Sequence, residues 1–159
     1  MPTELVLKRD HPDRAAYDEA LVAALRRHGV QWVCLAGFMK LVGPAMLAAF
    51  PGRILNIHPA LLPAFPGLHG PRQALAAGVR IAGATVHLVD EGMDTGPIVV
   101  QGAVPVRADD DEASLAARIL HQVEHRVYPL ALRWAVEGRL SVHAGVVRVD
   151  GVAAPSLFA

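Results

Sequence analysis

The chain has 159 residues, the length of one ordinary domain and enough to bury roughly two-thirds of the unfolded chain's surface. Fifteen Lys and Arg balance fifteen Asp and Glu, which gives no electrostatic reason to expect nucleic acid or an anionic membrane as partner. One cysteine excludes a disulfide framework, no run approaches ~18 apolar residues, and the start Met1-Pro2-Thr3-Glu4 is unlike a signal peptide, so a soluble cytoplasmic domain spanning 1–159 is expected.

Thr3 to Leu7 reads as a short strand. Asp13 can cap a helix in which Tyr17, Ala20, Leu21, Ala24, Leu25 and His28 share a face, and Gly29 ends it. Val30 to Ala36 is almost wholly apolar, as in a strand covered on both faces, and Cys34 within it reads as a small buried hydrophobe. Pro44 opens a short helix to Phe50. Arg53 to His58 is the next buried strand, stopped by Pro59, and a proline-rich loop leads to a short helix over Pro71 to Ala77.

Ile81 to Val89 and Ile98 to Val106 read as strands joined by the turn-rich loop Asp90 to Pro97. That loop is too short for a helical crossover, so the pair is expected to be antiparallel. Asp111 to Glu137 is helical with a kink expected at Pro129, and Leu140 to Ala159 reads as a hairpin turning at Asp150-Gly151. The order predicts an α/β fold: a mostly parallel, Rossmann-like sheet with helices on both faces and an antiparallel edge.

Eight histidines direct attention to acid–base or metal chemistry. Asn56 and His58 are two apart on a strand, so they project together at its C-terminal end, where open α/β sheets bind ligands. An amide beside an imidazole suits acyl transfer, because the amide can bond a developing oxyanion and the imidazole can supply a proton. On spacing alone, a polar strand end is more often a satisfied loop anchor. The acidic residues of the 90–97 loop fit turn chemistry equally well, or one of them could favour the charged form of His58. His58, His69 and His87 lack recognised metal-ligand spacing, and no Gly-x-Ser-x-Gly elbow occurs. His121 and His125 are four apart and can meet on one helix face, while Glu124 lies at the edge of the stripe Leu115, Ile119, Val123 and Val127.

Taken together, Leu35-Ala36-Gly37-Phe38-Met39-Lys40, Asn56-Ile57-His58-Pro59-Ala60-Leu61-Leu62-Pro63 and Phe65-Pro66-Gly67-Leu68-His69 resemble the glycinamide ribonucleotide formyltransferase family. So do Gly83-Ala84-Thr85-Val86-His87, the Asp90–Pro97 loop and Glu124-His125-Arg126-Val127-Tyr128-Pro129. The Pro-Gly-Leu-His tail sets the chain apart from methionyl-tRNA formyltransferases, which share only the central motif.

The resemblance implies transfer of the formyl group of 10-formyltetrahydrofolate, a co-substrate, to the amine of glycinamide ribonucleotide, without a metal. Asn56 corresponds to the oxyanion-binding amide, His58 to the general acid, and Asp94 to the carboxylate that supports it and relays a proton through water. Met39, Lys40, Leu41 and Val42, with Asp90, Glu91, Gly92, Met93 and Asp94, correspond to the walls of the pterin pocket, largely through backbone groups. Arg14 corresponds to a position near the folate. His121, Gln122, Val123 and Glu124 correspond to the ribonucleotide-binding segment, with Glu124 facing the ribose. Thr85 and His87 correspond to cleft-lining residues and His69 to a supporting one, while Lys40 stands where arginine is more usual. No segment of these 159 residues corresponds to the family's Gly-rich phosphate loop and first strands. The resemblance therefore implies a fold truncated at its N-terminus, an exposed edge at Val30 to Ala36 that favours self-association, and, as an alternative function, a weakly active or silent folate-binding module.

Overall fold

The apolar runs pair into a five-stranded sheet in the computed structural model of the chain, which describes residues 3–38 and 40–158. In chain order the elements are α1 (Arg14–Arg27), β1 (Val33–Leu35), α2 (Pro44–Ala49), β2 (Ile54–His58), α3 (Gly70–Ala76), β3 (Ile81–Leu88), β4 (Ile98–Pro105), α4 (Glu112–Ile119), α5 (His125–Val136), β5 (Leu140–His143), β6 (Val146–Val149) and β7 (Ser156–Phe158). The sheet order is β1-β2-β3-β4-β7, with β5 and β6 forming a separate pair. β1 and β2 are parallel, as are β4 and β7, whereas β3 is antiparallel to both its neighbours. The antiparallel element thus lies in the middle of the described sheet rather than at its edge. The α/β, Rossmann-like arrangement is otherwise the one expected.

Alternation along β2 explains why both faces are covered. Ile54 packs with Val22 of α1, Val33 of β1, and Met46 and Phe50 at α2, whereas Leu55 joins a larger cluster with Leu115, Ile119, Val123 and Val127 from the helices after β4. Asp13 caps α1 through Ala16 N at 2.9 Å, and Asp111 makes a capping box with Ser114 at the start of α4.

Four local expectations are corrected. Thr3 to Leu7 pairs with no strand among the described residues, and Leu5 is 79% exposed: an extended segment without a ladder partner gains too little to hold as a strand. Only Val33–Leu35 of the 30–36 run is in the ladder, and Cys34 is exposed, because β1 ends the sheet and has a single neighbour. The final hairpin turns at Ala144-Gly145, both at positive φ (50° and 77°), as a type I′ turn requires. Asp150-Gly151 instead turns the chain out of β6.

The fourth correction concerns the long helix. Its irregularity is a π turn at Leu120–Glu124, before α5, and Pro129 lies inside α5. Leu115, Ile119, Val123, Val127 and Ala131 are all fully buried, and Ala135 nearly so, at a strict spacing of four. A four-residue repeat drifts around a helix of 3.6 residues per turn. One wider turn, closed by His125 N on Leu120 O, rewinds the stripe onto the sheet.

β4 meets that stripe through Gly102. A Cβ there would lie 2.4 Å from Val123 Cγ1 and 3.2 Å from Val127 Cγ1, both on rigid branched side chains. Gly102→Ala is therefore expected to lose about 1–3 kcal/mol of stability by urea denaturation, despite its higher intrinsic strand preference. An unchanged midpoint would mean that the helix sits farther from the sheet.

Candidate active site

Two strands and two loops converge at the C-terminal end of β2. In the β2–β3 register Asn56 faces His87 and His58 faces Thr85, so the four side chains share one face. A bulge between Val86 and His87 breaks the β3–β4 register at this point. Such irregularities re-aim side chains beside functional sites.

Buried His87 fixes the pair. Its Nδ1 lies 3.0 Å from the Leu88 carbonyl, an obligate acceptor, so Nδ1 carries the proton. In the neutral ring Nε2 then accepts, and it lies 3.1 Å from Asn56 Nδ2. The Asn56 amide is thereby held with its nitrogen in the site and its second N–H free to donate. Burial pushes the His87 pKa down. Its backbone bond to Leu88 and the Asp94 charge oppose that shift, and His58 reinforces it.

The His58 imidazole faces acceptors on both edges. Nε2 lies 2.8 Å from the Phe65 carbonyl, and Nδ1 lies 3.5 Å from Asp94 Oδ2. The Phe65 bond sets the ring so that Nδ1 looks toward Asp94, whose other oxygen lies 3.7 Å from His87 Nε2. Asp94 also accepts from Gly67 N at 2.8 Å, which ties the proline-rich loop to the 90–97 loop. It adopts a left-handed backbone, φ 56°, which aspartate tolerates better than most residues. Asp90 plays the turn role: its Oδ1 accepts from Gly92 N at 3.0 Å and Thr95 Oγ1 at 2.8 Å.

The proline-rich loop is clamped from below by a buried relay. Thr85 Oγ1 donates to Ala60 O at 2.7 Å and accepts from Leu62 N and Gln101 Nε2, each at 3.0 Å; Gln101 also donates to Leu62 O at 2.9 Å. Gln101 went unnoticed in the sequence, although a lone amide inside the apolar run of β4 is the signal that marks it. The Phe65 carbonyl carries no signal, because a backbone contact is independent of residue type.

The remaining expected residues divide. Glu124 is half-buried on the π turn, where burial pushes its carboxyl pKa up while His125 and His58 oppose the shift. His121 and Gln122 are exposed beside it, and the His121 ring meets that of His125 edge-on at 5.2 Å. Val123 is fully buried under Gly102, so its side chain belongs to the core and not to a ligand surface. His69 points to Glu112, 3.2 Å away at the start of α4, instead of joining His58. Leu41, Glu91, Gly92 and Met93 are exposed, and Val42 packs under α1 and α2. Lys40 stacks over Tyr17 at 5.5 Å, and Arg14 donates to the Leu41 carbonyl. Met39 lies outside the described residues. No helix among those residues is long and apolar enough to cross a membrane.

Because burial favours neutral His87, the folded chain resists a proton that the unfolded chain takes up below about pH 6.5. The stability from this source is present above that pH and lost as pH falls below it. His87→Gln is expected to show a shallower fall of Tm between about pH 7 and pH 5 than the wild type. Parallel curves would show that His87 ionises as freely folded as unfolded.

A family model described as formyl transferase matches residues 1–132. Phosphoribosylglycinamide formyltransferase of Escherichia coli (strain K12) is 41% identical over 153 residues, which are 96% of this chain and 72% of that protein. The trifunctional purine biosynthetic protein adenosine-3 of Drosophila melanogaster is 47% identical over 138 residues, 87% of this chain but 10% of the relative. The crystal structure of glycinamide ribonucleotide transformylase 1 from Symbiobacterium toebii superposes with a TM-score of 0.87 at 54% identity, covering 89% of this chain and 66% of that one. The chain thus spans a tenth of the insect protein and about two-thirds of the bacterial ones. A match over most of its length, on the fold and motifs described, establishes that the chain belongs to the formyl transferase family.

Proposed function

We propose that the chain transfers the formyl group of 10-formyltetrahydrofolate to the amine of glycinamide ribonucleotide, a step of purine biosynthesis. The observation that carries the reading is the convergence of Asn56, His87, Asp94 and the Nδ1 edge of His58 at the end of β2. The names of the similar proteins supply the acceptor, and folate enters as a co-substrate.

Each group has a task in that reaction. The amine nitrogen bonds to the formyl carbon, and charge develops on the formyl oxygen. Asn56 Nδ2, held by His87, donates to that oxygen. His58 Nδ1, with Asp94 behind it, provides the proton that N10 of the leaving tetrahydrofolate needs as its bond to the formyl carbon breaks. Asp94 passes on the proton that the amine loses, through water, so that the net transfer is from amine to N10. Glu124, lifted in pKa and half-buried, suits a contact with uncharged hydroxyls such as those of a ribose, flanked by His121 and Gln122. We assign residues 40–42 and 90–94 to the pterin side, with Arg14 bonded to the Leu41 carbonyl.

Two results are expected from steady-state assays with glycinamide ribonucleotide, following the formylated product by mass spectrometry. The full chain turns over, and Asn56→Ala and His58→Ala each fall about 10²–10³-fold while keeping the wild-type circular dichroism. Near-full activity in either variant would remove that residue from the mechanism. Formate released without formylated amine would mean that water is the acceptor, and folate binding without turnover would favour a silent binding module.

A further inference from the structure

We propose that Asp18 is a positioning residue for the folate subsite. It fixes the Arg14 guanidinium, which holds the Leu41 carbonyl and so sets the wall formed by residues 40–42. The proposal deepens the function above and rests on its folate reading.

Besides the Asp110–Arg118 pair, whose side chains are 2% and 8% exposed, the buried polar or charged residues among those described are Asp18, His58, Thr85 and His87. The last three belong to the cluster on β2 and β3. Asp18 is on α1, 4% exposed, in neither the cluster nor a cap. Burying a carboxylate is costly unless it is paired and bonded. Both Asp18 oxygens face Arg14 Nε, at 2.7 and 2.9 Å.

An ion pair four residues apart on one helix adds little stability when its arginine is partly exposed, as Arg14 is. Helix stabilisation therefore does not account for burying the acid. Its other contacts do. With Nε held by Asp18, Arg14 Nη2 donates to the Leu41 carbonyl. Among the described residues no other hydrogen bond reaches residues 40–42. At Gly43 a Cβ would lie 1.8 Å from Asp18 Oδ2, so the loop backbone is pressed onto the carboxylate as it enters α2. Tyr17, one residue earlier on α1, underlies the Lys40 ammonium. One turn of helix thus holds residues 40, 41 and 43. The planar fork of arginine can serve Asp18 and Leu41 together, which a lysine ammonium cannot do in the same geometry.

The test uses the full chain and two variants, Asp18→Asn, which keeps the side-chain shape, and Arg14→Lys. Amide hydrogen exchange over residues 40–43 is read by mass spectrometry, and the affinity for 5-formyltetrahydrofolate by calorimetry. Both variants are expected to exchange faster at 40–43 and to bind the probe about tenfold more weakly, the size expected for one charge-assisted bond. In turnover, Asp18→Asn should raise KM for 10-formyltetrahydrofolate while kcat and KM for the ribonucleotide stay close to wild type. A lowered Tm with unchanged exchange at 40–43 and unchanged folate affinity would overturn the proposal and leave Asp18 a structural pair. Should the wild-type chain fail to bind the probe, the folate reading falls, and the exchange measurement alone decides whether Asp18 holds the loop.

Discussion

The candidate site depends on the contacts of one carboxylate. Asp94 receives the Gly67 amide and lies against both His58 and His87, so a single side chain spans the proline-rich loop, the 90–97 loop and two strands. Charge-assisted bonds of this kind are stronger than neutral ones and act only over short distances. Moving Asp94 would release Gly67, and with it the segment carrying the Phe65 carbonyl that orients His58. The left-handed backbone at Asp94 is consistent with this, since a strained φ persists where neighbours over-determine it.

The same site shows what a sequence discloses and what it hides. Asn56 and His58 were legible because two-residue periodicity on a strand is a property of the backbone. Asp94 was one of three acids in its loop: spacing read all three as turn chemistry, the family resemblance singled out Asp94, and in the structure Asp90 bonds its own loop while Asp94 reaches across. Cys34 read as buried because its neighbours are apolar, yet burial of a strand depends on how many strands flank it, which no local window contains. Asp150-Gly151 carries the stronger turn signal, but tertiary pairing placed the I′ turn at Ala144-Gly145. The strand Thr3 to Leu7 failed for a related reason: its composition suits a ladder, and no partner is present among the described residues.

The π turn links the core to the site. The spacing of four from Leu115 to Val127 was visible in the sequence, the structure continues it to Ala135, and on an unbroken α-helix it would carry its last members off the sheet. Widening one turn keeps Val123 and Val127 on Gly102, and the widened turn is where half-buried Glu124 sits. Farther along, the Tyr128 hydroxyl lies 2.7 Å from the Leu35 carbonyl and 3.1 Å from the Leu55 carbonyl, beside Asn56. Packing of the helix and aim of the strand ends are therefore set by one continuous stretch of chain.

Backbone anchoring also explains how the walls of such a site can vary in sequence. The contacts to Leu41, Gly67 and Phe65 all use main-chain atoms, so side chains at those positions are free of the task. Lys40 is held differently, by its ammonium over the Tyr17 ring. What cannot vary freely is the set of residues that permit close approach. A Cβ at Gly43 would strike Asp18, one at Gly92 would lie 2.0 Å from Thr95 Oγ1, and one at Gly96 would lie 1.8 Å from the Leu88 carbonyl. The constraint on this site thus falls on small residues and on the few side chains that grip the backbone, more than on the residues that line it.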